Sequence, residues 1–155
     1  MKYAGLLLMA GLVLTVASLL PAHRAAADKV YHSQHIPLTS ANDSPLKKGF
    51  VENIHPNGPQ IFARERYVLI GATPDTTYQV TLFIYLESPT CVNEPVVLPT
   101  ATLETGAAGN GAAQAVIRPA EVPPPAHDKT HGVRWEVSRG GEVAYETACS
   151  VVTLD

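Results

Sequence analysis

The sequence predicts an all-β domain, a Greek-key β-sandwich of about seven to nine short strands held by one disulfide. Three observations lead there. Apolar and polar residues alternate at period two in several segments bounded by turn residues, the pattern of half-buried strands. No segment carries a convincing helical apolar period over three turns. The 13 Pro and 11 Gly among 155 residues interrupt the chain too often for long helices. That length suits one domain and is short for two.

The N-terminal segment stands apart from this pattern. Lys2 supplies a positive charge, residues 4–20 form an apolar run of 17 positions, Pro21 ends it, and Ala25-Ala26-Ala27 offers small residues at both positions a signal peptidase reads. This is the layout of a secretory signal peptide cleaved between Ala27 and Asp28. The expected domains are therefore 1–27, the signal, and 28–155, the sandwich. The run is at the short limit for crossing a bilayer and no second one follows, so no membrane span is expected after cleavage. No Cys near the cut suggests a lipid anchor.

Removing the signal changes the charge balance. Lys2 and Arg24 leave with it, so 11 basic residues become 9 against 14 acidic ones, a formal charge of -5. That balance carries no footprint for nucleic acid. Met1 and Met9 also leave, which excludes a Met-rich Cu(I) site. Two cysteines cannot build a four-thiolate metal site. In an oxidising compartment Cys91 and Cys149 are expected to pair, closing a loop of 58 residues. A redox-active thiol is the competing reading, and it lacks a Cys-x-x-Cys motif.

Residues 78–87 give the most secure strand: Tyr78, Val80, Leu82, Ile84 and Leu86 share one face, and Gln79, Thr81, Phe83, Tyr85 and Glu87 the other. Val133, Trp135 and Val137 alternate with Arg134, Glu136 and Ser138. Residues 143–151 form a further alternating set. Residues 66–71, apolar on both faces, suit a central strand. Residues 97–104 and 112–118 flank a Gly/Asn-rich connection, read as hairpin-like. Residues 30–39 and 49–55 complete the list as outer strands. Residues 119–126, with Pro123-Pro124-Pro125, should cross as an extended segment. Residues 41–49 and 55–59 read as surface turns.

The stretch Gly71-Ala72-Thr73-Pro74-Asp75-Thr76-Thr77-Tyr78-Gln79-Val80-Thr81-Leu82 resembles the corner of fibronectin type III and related immunoglobulin-like domains. A turn with Pro and Thr there leads into a strand opening on Tyr. The likeness continues through Thr100-Ala101-Thr102-Leu103 and the Gly/Asn turn ending at Gly111, and covers about residues 64–155. It resembles small secreted bacterial immunoglobulin-like proteins of unassigned activity, with one Cys after the Tyr strand and another in the last strand. The resemblance implies that the Tyr78 hydroxyl bonds backbone upstream, near the corner. It implies architecture only. Trp135 falls far down the chain, and the cysteine spacing is not that of antibody domains.

Candidate chemistry is sparse. His32-x-x-His35 and His127-x-x-x-His131 are spacings at which imidazoles can share Zn or Cu(II), with Asp128 as a further ligand, if the two pairs converge at a sandwich edge. The ordinary alternative is solvated or singly bonded histidines, and no cofactor is otherwise implied. Asn42, Asp43 and Ser44, or Glu142 and Glu146, could meet calcium, but no EF-hand loop is present; Asn42-Asp43-Ser44 also matches a glycosylation sequon. No Gly-x-Ser-x-Gly elbow, His-Glu-x-x-His or phosphate-cradling Gly loop appears. A small secreted enzyme therefore ranks third. Phe83 and Tyr85, opposite the core face of their strand, form a candidate binding patch for a protein or glycan partner or for self-association. The alternative is that the N-terminal segment or the proline-rich crossing covers them. The expected role is a non-catalytic structural, adhesive or ligand-binding module, secreted or periplasmic, with metal binding as the alternative.

Overall fold

The alternating segments form antiparallel strands in the computed structural model, which describes residues 32–56, 61–122 and 129–154. In chain order they are β1 (His32–Ser40), β2 (Lys48–His55), β3 (Ala63–Ile70), β4 (Thr77–Tyr85), β5 (Val96–Glu104), β6 (Gly111–Ile117), β7 (Lys129–Arg139), β8 (Glu142–Thr147) and β9 (Ser150–Leu154). Among the described residues the only helical element is a 3-10 turn, Pro119–Glu121. The start of the proline-rich crossing is thus a turn rather than extended chain. Pro119 brings a φ already suited to a helical first position, and the Glu121 carboxylate accepts the Arg118 N–H at 2.6 Å. The expected signal, residues 1–27, the proline run 123–125, His127 and Asp128 lie outside the described residues.

The strands follow one hydrogen-bonded path, β5-β4-β7-β8-β1-β2-β3-β6, with β9 added on β7. It forms two layers because β1 belongs to both. Residues His32 to Pro37 pair with β2, and Leu38 to Ser40 pair with β8. Pro37, lacking an N–H, sits where the ladder changes partner. The result is a nearly closed barrel-like sheet whose ends, β5 and β6, are joined by the Gly/Asn-rich connection. Gly109 in that connection needs its positive φ of 70, and its carbonyl accepts Ala72 N–H at 2.9 Å.

Two irregularities aim side chains inward. At a bulge opposite Val80 and Thr81, the β5 partners step from Ala101 to Pro99. The extra residue, Thr100, points its hydroxyl at that of Tyr67, the two oxygens 2.7 Å apart. A second bulge, at Val137 and Ser138, buries both Ala144 and Tyr145. The alternating set 143–151 is broken into β8 and β9 at residues 148–149. Across the break, Trp135 N–H donates to the Thr147 hydroxyl at 3.1 Å in place of a ladder bond. Gln34 Nε2 donates to Val151 carbonyl at 3.0 Å, tying β1 to β9 where no backbone ladder joins them.

The core lies between the layers, with Trp135, Tyr67, Tyr78, Tyr145 and Leu69 fully buried. Cys91 and Cys149 are bonded, their Cα atoms 6.0 Å apart, so the disulfide joins the loop after β4 to the β8–β9 break. Gly132 lies under that loop: a Cβ there would collide with the Ser88 carbonyl oxygen and press on Cys91 Sγ. Replacing both cysteines by Ala frees a 58-residue loop in the unfolded chain, and denaturant titration should show a loss of about 4 kcal/mol.

Candidate functional site

On the outer face of β1, β2, β3 and β6 the register lines side chains into cross-strand rows. One row is Ser33, Ile54, Arg64 and Val116; the next is His35, Glu52, Arg66 and Gln114; the third is Pro37, Phe50, Val68 and Ala112. This face carries Lys48, Arg64 and Arg66 against Glu52 alone, in a chain whose acidic residues outnumber its basic ones. Arg64 and Arg66 are exposed, while Ile54, Phe50, Val68 and Val116 are half-buried beside them. Neither guanidinium has an ion-pair partner among the described residues, where Lys129 pairs with Glu87 and Arg134 with Glu136 and Glu146. A groove of about 280 Å³ runs through the first two rows, walled by Glu52, Ile54, Arg64, Arg66, Gln114 and Val116. It lies at the small end of ligand sites and is open.

The same strand presents the opposite chemistry inward. Because side chains alternate along β3, Glu65 between the two arginines points into the core, where it is 3% exposed. Its Oε2 accepts from the Tyr67 hydroxyl and, at 2.9 Å, from Trp135 Nε1 on the facing layer. Burial pushes the Glu65 carboxyl up to about 7, further than those two bonds pull it down. Burial likewise pushes the Tyr67 phenol upward, with Glu65 adding to the shift, so Tyr67 is a neutral donor. Glu65 Oε1 and Asn53 Oδ1, on directly opposed residues of β3 and β2, are buried acceptors that no donor reaches. A proton on the carboxyl supplies the donor that such a pair of acceptors requires.

Of the candidate histidines, His35 and His131 stand apart. His131 is fully buried and its Nδ1 accepts the Glu87 N–H at 3.0 Å. His35 is on the outer face, its ring 4.0 Å from that of Phe50. His32 stands opposite His55 at the start of β1, and His127 is outside the described residues. Among the described residues no three His, Cys, Asp or Glu side chains are grouped for a metal ion. His35, on β1, faces outward and His131, on β7, faces inward. At the calcium candidate, Asn42 Nδ2 donates to the Val143 carbonyl at 2.9 Å, and Arg139 lines the same pocket as Glu142.

The Phe83–Tyr85 patch is also corrected. Tyr85 is 7% exposed and Phe83 half-buried, with the Arg134 guanidinium 5.5 Å from its ring centre. The cross-strand partner of Tyr85 is Gly132, which lies beneath the disulfide-bonded loop of Ser88 and Cys91. Nor does Tyr78 bond the corner backbone. Thr105 does that work, donating to Thr73 carbonyl at 2.7 Å and accepting Thr76 N–H at 3.1 Å. Tyr78, fully buried, meets the Tyr145 hydroxyl at 3.2 Å, and Tyr145 donates to Pro45 carbonyl at 2.8 Å. Burial and the bond to Tyr78 push the Tyr145 hydroxyl up to about 12.

Sequence reasoning missed Arg64 and Glu65, having begun that strand at Arg66. The signal was present: extending period two backward from Tyr67 puts Glu65 inside and both arginines outside. Comparison with known proteins returned no match to any protein family, curated protein or solved structure.

Glu65 makes stability depend on pH. Its folded value lies above the ordinary 4.5, so the folded chain binds the proton more tightly than the unfolded chain. The stabilisation is complete below that ordinary value and is lost as pH rises through about 7, on the order of 3 kcal/mol in all. Thermal melts from pH 4 to 8 should show this decline, and Glu65→Gln should flatten it. Tyr85→Ser should cost about 3 kcal/mol in the same assay and Phe83→Ser about 1 kcal/mol.

Proposed function

We propose that the chain is an exported, non-catalytic binding module of immunoglobulin-like, Greek-key form, acting at the cell exterior through the outer face of β1, β2, β3 and β6. The strand order supports the fold half of this reading. With β2, β3 and β6 in one layer and β5, β4, β7 and β8 in the other, the chain crosses between layers at β3–β4, β5–β6 and β6–β7, a mixture of hairpins and crossings of the Greek-key kind. The likeness to fibronectin type III and other immunoglobulin-like domains belongs to the proposal on that ground. The Cys91–Cys149 disulfide is consistent with an extracytoplasmic address, and no helix among the described residues is long and apolar enough to cross a membrane.

The observation that carries the binding role is the groove holding two exposed guanidinium groups with no ion-pair partner among the described residues. An arginine beside half-buried apolar side chains offers a charge-assisted, two-pronged donor next to surface that gains by being covered. The non-catalytic part rests on Glu65. Among the described residues it is the carboxyl pushed well above its ordinary value, and it is closed off from solvent by the core around it, out of reach of a substrate.

The disulfide-bonded chain, fluorescently labelled, should bind saturably to isolated envelopes of the cells that make it. Arg64→Glu with Arg66→Glu should weaken that binding at least about tenfold while leaving the melting temperature within a few degrees. Equal binding by both proteins removes this face from the reading.

A further inference from the structure

The groove's geometry narrows its ligand, on the reading that this face binds. We infer that it receives an extended acidic segment of a partner protein, two of whose carboxylates, two residues apart in sequence, pair with the Arg64 and Arg66 guanidinium groups. The two arginines are alternate residues of one strand, so their Cα atoms repeat at about 6.6 Å, the spacing of alternate side chains in any extended peptide. A peptide laid along β3 with acidic residues at its first and third positions matches both in one register. Its middle side chain points away and is unrestricted.

The flanking rows set orientation. Arg64 lies between Ile54 and Val116, so the carboxylate it takes should have an apolar neighbour to cover them. Arg66 lies between Glu52 and Gln114, where the Glu52 carboxylate repels an incoming acid while Gln114 offers an amide donor. Glu52 therefore penalises a poorly seated anion at that end, an element of selectivity by repulsion.

A protein segment fits this face better than a glycan does. Sugar rings are held largely by stacking on free aromatic faces, and Phe50 is the one aromatic residue in these rows. His35 lies on it with ring centres 4.0 Å apart, and Lys48 Nζ is 5.5 Å from its centre. The groove offers guanidinium forks and aliphatic side chains, the partners of carboxylates and of apolar peptide side chains. The outward charge of the rest of the chain, negative overall, leaves this face as the landing point for an acidic partner.

The test is fluorescence anisotropy with the disulfide-bonded full chain and four probes: a neutral-framed peptide containing Glu-Val-Glu, the same peptide with Gln-Val-Gln, one with Glu-Val-Val-Glu, and a labelled polyuronate. The Glu-Val-Glu peptide should bind, and the Gln-Val-Gln and Glu-Val-Val-Glu peptides should bind roughly tenfold or more weakly. Arg64→Gln and Arg66→Gln should each cost a similar factor, Glu52→Gln should tighten binding, and raising the salt from about 0.05 to 0.5 M should weaken it. Binding of the polyuronate but not the peptide, still lost in the arginine variants, overturns the peptide inference and leaves the binding face standing. Equal binding of the two Glu peptides overturns the two-residue spacing. No arginine-sensitive binding of any probe overturns the peptide inference, and unchanged envelope binding by the arginine variants overturns the binding face as well.

Discussion

A single bond across the interior, Trp135 Nε1 to Glu65 Oε2 at 2.9 Å, organises this molecule. A carboxyl group is costly to place in an apolar core unless its oxygens are met and its charge removed. Here the facing layer meets it with the indole N–H, its own strand meets it with Tyr67, and a bulge in β5 turns Thr100 inward so that the Tyr67 hydroxyl itself is satisfied. Three strands thus contribute to one polar chain in the middle of the core. Apolar packing alone would tolerate several relative placements of the two layers. Directional bonds to one buried carboxyl do not.

Closure of the sheet rests on devices of a different kind. β1 changes partner at Pro37, which makes a single path of both layers. The gaps left by irregular strands are filled by side chains standing in for backbone: Thr147 for β7, Gln34 between β1 and β9, and Thr105 at the corner before β4. The disulfide then pins the loop after β4 over Gly132. These are local solutions, each dependent on one residue, at the places where the regular ladders stop.

Strand positions were readable because a half-buried strand must alternate, and residues 78–87 do so without interruption. The all-β class and the Cys91–Cys149 pairing followed from patterning and from the implied compartment. Parity, however, says only which side chains share a face. It could not say that Tyr85 would be buried while Phe83 stayed half-buried beside Arg134, nor that His35 would face out of one layer and His131 into the core from the other. The Glu65–Trp135 contact joins residues far apart in the chain, and nothing local announces it. The arginine groove was missed for a simpler reason: the strand was begun at Arg66, although the alternation already reaches back to Arg64.

The order Arg64-Glu65-Arg66-Tyr67 has a consequence for how β3 finds its place. A slip of one residue against β2 and β6 would turn every side chain to the other face. It would drive two guanidinium groups into the core, where no carboxylate awaits them, and strand Glu65 outside, away from the indole that holds it. The charges that dress the outer surface therefore act during folding as a veto on misregistered pairing. That veto adds to the seven-pair ladders on either side of β3 and leaves the strand a single tolerable alignment.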